Sequence, residues 1–139
     1  KAMLEEGGGA IESVILKKKI SRIVIDSLTS FALLFEDELQ QREAALLLFN
    51  MLKDWNCTSL LTLELEQSGK GIINASETLG FESDSIMRIY EAFSKGERRR
   101  YFEVIKMRGT EHSRRIFELE INKSGISIAN KPCINPPGF

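Results

Sequence analysis

Three groups of residues carry functional groups at spacings that can do chemistry. The first is Asp26-Ser27, which follows the run Arg22-Ile23-Val24-Ile25. β-Branched residues without polar alternation suit a strand covered on both faces, as in a parallel sheet between helices. Asp26 then falls at the strand's C-terminal end, where ligands bind in open α/β sheets. A carboxylate there can hold Mg²⁺, directly or through water, beside a nucleotide phosphate. It can also merely end a strand or cap the next helix. The second group is Thr62, Glu64 and Glu66, at the end of the apolar run Thr58-Ser59-Leu60-Leu61-Thr62-Leu63. Alternate residues of a strand share one face, and a carboxylate there can orient water or sense a terminal phosphate. A strand end reaching solvent accounts for the same residues equally well. The third is Lys106-Met107-Arg108-Gly109-Thr110-Glu111-His112. Lys106 and Arg108 are two apart on a predicted strand, so both point to one face, and paired cations can neutralise phosphate charge. The competing explanation is a solvated basic hairpin.

These groups need elements to hold them. Residues 10–19 read as a helix with Ile11, Val14, Ile15 and Leu16 on one stripe and Lys17-Lys18-Lys19 at its negative end. Gly7-Gly8-Gly9 disfavours helix, so residues 1–9 read as a flexible segment. A strand at 22–26 follows. The acidic Glu36-Asp37-Glu38 opens a helix that runs to Asp54, with Leu39, Ala45, Leu46, Leu48, Phe49 and Leu52 as its apolar face and Trp55-Asn56 as its end. A strand at 58–63 completes a βαβ unit, so these two strands are expected to be parallel. Beyond irregular residues 72–84, short segments at 85–91, 99–108, 116–121 and 126–128 are separated by tight turns and imply antiparallel pairing. Residues 131–139 hold all three prolines and read as an extended tail.

Composition narrows the function classes. The chain has 139 residues, 42% hydrophobic and 28% charged, as expected of one globular domain. A net charge of −1 gives no support to nucleic-acid or anionic-membrane binding. Glu97-Arg98-Arg99-Arg100 reads as a solvated turn, since no stacking platform lies nearby. The apolar runs are too short to span a membrane. Cys57 and Cys133 form neither a disulfide framework nor a metal pattern, and reduced thiols in the cytoplasm are expected. His112 is the single histidine, which rules out a multi-histidine metal site. Ser68-Gly69-Lys70-Gly71 is not a P-loop, because position 64 is Glu and position 71 is Gly.

The order of these pieces resembles the KaiC-like branch of the RecA superfamily of ATPases. Arg22 to Leu28 looks like that family's Walker B strand, and Cys57 to Glu64 is similar to the next core strand, with Leu63 in place of a serine. Ile105 to Ser113, followed by Ile116-Phe117-Glu118-Leu119 and Gly125-Ile126, resembles the family's Lys-Met-Arg-Gly-x-x-His hairpin. The resemblance implies an α/β fold: a partial RecA-like core with a parallel sheet flanked by helices, plus C-terminal antiparallel β-hairpins, over residues 10–130. It implies ATP and Mg²⁺ as cofactors, with Asp26 as the metal-binding acid. Lys106 and Arg108 would then be trans-acting catalytic cations and Glu64 a strand-end sensor, with His112, Thr62 and Ser27 lining the nucleotide site. The family's P-loop has no counterpart in these residues. A chain that cannot hydrolyse ATP alone is therefore expected, dependent on self-association, commonly as a hexamer, or on the other half of the domain. A non-catalytic interaction subunit is the alternative, and a DNA-recombination ATPase fits less well.

Overall fold

The computed structural model describes residues 2–35, 37–64, 82–94 and 96–134. They form two compact units, residues 1–83 and 84–139.

The first unit contains helix α1 (Ala2–Lys18), strand β1 (Arg22–Ile25), short helix α2 (Leu28–Ala32), helix α3 (Glu38–Asp54) and strand β2 (Thr58–Leu61). α1 runs straight through Gly7-Gly8-Gly9, contrary to the flexible segment expected over residues 1–9. Each glycine costs about 1 kcal/mol against alanine, but propensity is a weak prior. Ala2, Met3, Leu4, Glu5 and Glu6 before the triplet and Ala10 after it are good helix formers, so propagation crosses the gap. Of the predicted stripe only Ile15 is buried, and Leu16 is exposed. The helix stops at Lys19, whose φ of 53° turns the chain left-handed, while the Ile20 N–H donates to the Ile15 carbonyl at 3.0 Å.

Asp37 starts α3 by accepting the Gln40 N–H at 2.8 Å. Ala44, Ala45, Leu48, Phe49 and Leu52 are buried at helical spacing, while Leu39 and Leu46 of the predicted face are exposed. Leu28, Leu48 and Leu52 form the core, against which Ile23, Ile25, Leu61 and Trp55 pack. The strands are parallel, as the βαβ pattern requires, with Arg22 opposite Thr58 and Ile25 opposite Leu61. Coverage on both faces is not realised. Ile23 and Ile25 face the core, whereas Val24 and Leu60, partners across the sheet, are 66% and 59% exposed. A two-stranded sheet packed against helices buries one pleat and leaves the other open.

The second unit is an antiparallel meander of β3 (Ser85–Ser94), β4 (Glu97–Met107), β5 (Phe117–Asn122) and β6 (Gly125–Ile128). Gly96, with φ of 82°, makes the β3–β4 turn. Cross-strand register puts Ile89, Phe102 and Phe117 on one face and Tyr90, Tyr101 and Glu118 on the other. On the polar face the rings of Tyr90 and Tyr101 stack with centroids 5.7 Å apart, and Arg99 pairs with Glu118 at 2.9 Å. The tail returns beside β5, where the Cys133 N–H donates to the Ile116 carbonyl at 2.9 Å. Residues 135–139 of the expected extended tail lie outside the described residues.

Candidate functional site

The pairing of Ile25 with Leu61 brings the next residues of both strands together. The Thr62 N–H donates to the Ile25 carbonyl at 3.0 Å, and its hydroxyl donates to Asp26 Oδ1. Asp26 is exposed and Thr62 half-buried, so the carboxylate faces solvent while its orientation is held from one side. The helix-capping explanation for Asp26 does not apply. Ser27 caps α2, its Oγ accepting the Ser30 N–H at 3.5 Å. Capping engages the hydroxyl that the sequence suggested for nucleotide contact. The peptide bond between Asp26 and Ser27 is cis.

β2 stops at Leu61, so strand alternation does not govern Thr62 and Glu64 as expected. From the Thr62 carbonyl onward the chain bonds to α2 instead of β1. The Leu28 N–H donates to the Thr62 carbonyl at 2.8 Å, and the Glu64 N–H donates to Thr29 Oγ1 at 2.9 Å. Glu64 is therefore anchored through its backbone beside the Asp26–Thr62 pair, and it is exposed. Glu66 lies outside the described residues. Thr29 was not anticipated, since nothing in the sequence pairs it with a residue 35 positions away.

The second unit carries the basic residues. β4 ends at Met107, one residue short of expectation, and Arg108 sits in the turn beyond it. The Arg108 N–H donates to the Asp84 carbonyl at 2.8 Å, and its Nη1 lies 3.6 Å from Asp84 Oδ1. Lys106 is half-buried opposite Ile86, at a register shift in the β3–β4 ladder. The shift places Lys106 in line with Tyr101 and Glu103 on the polar face; unbroken alternation from Val104 would put it on the apolar one. His112 is half-buried, with Nδ1 3.3 Å from the Thr110 carbonyl.

The basic turn is internally neutralised. Arg100 pairs with Glu91 at 2.9 Å, Arg99 with Glu118 and Glu97, and Arg98 with Glu91 at 3.7 Å. Glu118 beside it raises the Arg99 pKa further above its usual value. These pairs, cross-strand except for Arg99 with Glu97 on β4, are what a solvated hairpin shows and offer little net positive charge to a nucleic acid. Among the described residues, no three His, Cys, Asp or Glu side chains could together hold a metal ion, and no helix is long and apolar enough to cross a membrane.

The family model of the KaiC ATPase matches residues 1–132. The chain belongs to the KaiC ATPase family. It is 32% identical over 120 residues to the circadian clock protein KaiC3 of Synechocystis sp., which covers 85% of this chain and 23% of that protein. A UPF0273 protein of Thermotoga maritima is 31% identical over 118 residues, covering 85% of this chain and 47% of that protein. The crystal structure of the KaiC-like protein PH0186 from Pyrococcus horikoshii OT3 superposes with a TM-score of 0.77 at 28% identity, covering 91% of this chain and 56% of that one. The chain thus spans about a quarter of KaiC3 and less than half of the UPF0273 protein. The architecture is that of a KaiC-like, RecA-type α/β domain: a parallel β1–β2 pair with helices and an antiparallel C-terminal sheet.

Proposed function

We propose that this chain contributes to Mg²⁺-dependent ATP binding and hydrolysis in a KaiC-like assembly, at nucleotide sites shared between subunits. The observation that carries the reading is the Asp26–Thr62 pair at the C-terminal ends of two parallel strands. Asp26 is the Walker B acid. A single oriented carboxylate suits Mg²⁺, which keeps several waters and takes its remaining ligands from phosphate oxygens. Glu64, tethered beside it, is the strand-end sensor. Lys106 and Arg108 act in trans on the phosphates bound by an adjacent subunit, where cations offset charge that develops on the transferring group. His112 lies by the same shared site. The 139 residues contain no Gly-x-x-x-x-Gly-Lys-Ser/Thr, so the loop cradling the phosphates comes from outside them.

Mixing subunits tests this reading in the full-length protein. Asp26→Asn disables the metal side of a site, and Arg108→Ala disables the side given to the neighbour. Each variant alone is expected to lose at least about a hundredfold in turnover. Assemblies mixed from both contain some sites with an intact Asp26 and an intact Arg108, so activity should rise well above the average of the two variants. A mixture no more active than that average refutes the trans assignment. Full activity of Arg108→Ala alone refutes the role of Arg108.

A further inference from the structure

We infer that Asp84 is a positioning residue for Arg108; this rests on the reading of Arg108 as a phosphate-facing cation. Asp84 holds Arg108 by two contacts of different kinds. Its carbonyl accepts the Arg108 N–H at 2.8 Å, which pins the arginine backbone one residue past the end of β4. Its carboxylate lies 3.6 Å from Nη1, beyond hydrogen-bond distance, with the Asp84 side chain 87% and the Arg108 side chain 51% exposed. That contact is an exchangeable ion pair: it biases the direction of the guanidinium without desolvating it.

The following residue completes the grip. Ser85 Oγ donates to the Lys106 carbonyl at 3.2 Å and Ser85 pairs with Met107, so Asp84-Ser85 holds the backbone on both sides of Met107. The register shift lies immediately beside this clamp. Both cations of the Lys106-Met107-Arg108 tip are thus set by the start of β3. A long side chain loses rotamer freedom when it engages an anion, and a carboxylate that already restrains it lowers that loss. The planar guanidinium presents five donors, so contact at Nη1 engages only one part of the fork.

ATPase kinetics of the full-length protein test the inference. Asp84→Ala leaves the backbone carbonyl in place and removes only the carboxylate. We expect kcat to fall about three- to fivefold with KM changed by less than about twofold, the size of an exposed ion pair acting on the transition state. Asp84→Glu should restore most of the loss. Asp84→Ala combined with Arg108→Ala should be no slower than Arg108→Ala alone. A further loss in the double variant overturns the inference and leaves the role of Arg108 standing. Should Arg108→Ala leave turnover intact, the reading of the site fails, and the clasp is decided by NMR. The motion of the Arg108 guanidinium, read from side-chain ¹⁵N relaxation, should increase in Asp84→Ala; unchanged motion overturns the clasp itself.

Discussion

Thr62→Val isolates the contact that orients Asp26, the acid proposed above to hold Mg²⁺. Valine keeps the β-branched shape and both backbone bonds of position 62, to the Ile25 carbonyl and from the Leu28 N–H. Only the hydroxyl that donates to Asp26 is lost. A hydrogen bond to a charged group contributes about 1.5–3 kcal/mol, but Asp26 is exposed and water replaces much of it, which leaves about 1 kcal/mol. With a urea m-value of about 2 kcal/mol/M, the unfolding midpoint should fall by about 0.5 M. Trp55, the single tryptophan, packs against the core of the same unit, so its fluorescence reports the transition. The same 1 kcal/mol of lost orientation should raise the Mg²⁺ concentration for half-maximal activity about fivefold in the full-length protein. Thr62→Ser keeps the hydroxyl and should retain most of both properties. In an Asp26→Ala background the valine should cost almost nothing, because its partner is already gone. A stability cost that persists undiminished in that background refutes the pairing as its source.

Asp37→Ala removes the side chain that accepts the Gln40 N–H, and should destabilise the first unit by about 1 kcal/mol in the same urea experiment, with Asp37→Asn close to wild type. Burial, reinforced by the charge of Glu103, raises the Tyr90 phenol above its ordinary 10.0. The folded state therefore holds that proton more tightly than the unfolded chain. Stability from Tyr90 is complete below pH 10 and is lost as pH rises through the raised folded value. Tyr90→Phe should flatten this alkaline limb in denaturation measured by circular dichroism; an equally steep limb assigns the loss to other groups.

The elements of the first unit were legible where chemistry and period agreed. Asp37 before an apolar helical stripe, and two apolar runs on either side of that helix, predict a βαβ unit, and the strands pair in parallel. Gly7-Gly8-Gly9 misled, because intrinsic propensity was outweighed by cooperative propagation through good helix formers. The Ile-Val-Ile run also overstated burial. Apolar residues on both pleats show what a strand can bury, not whether a layer lies on each side, and Val24 with Leu60 stays open here.

Among the candidate site residues, the residue types were visible in the sequence, and most of their partners were not. Asp26, Glu64, Lys106 and Arg108 stand out by chemistry and by their place at predicted strand ends, and His112 by its place in the loop of the family-like hairpin. Thr29 under Glu64 and Asp84 under Arg108 are distant in the chain or lie in an unremarkable stretch, whereas Thr62 beside Asp26 follows from parallel strands placing their C-terminal ends side by side. The register shift that turns Lys106 to the polar face left no sequence mark, since an extra residue in a ladder is defined only against the partner strand. Periodicity and functional-group chemistry are local, so most of the elements and the candidate reactive groups are legible in the residues themselves, α2 and the helical Gly7-Gly8-Gly9 segment excepted. Tertiary structure alone decided which oxygen holds which donor and which pleat is covered, because those depend on contacts between residues that only folding brings together.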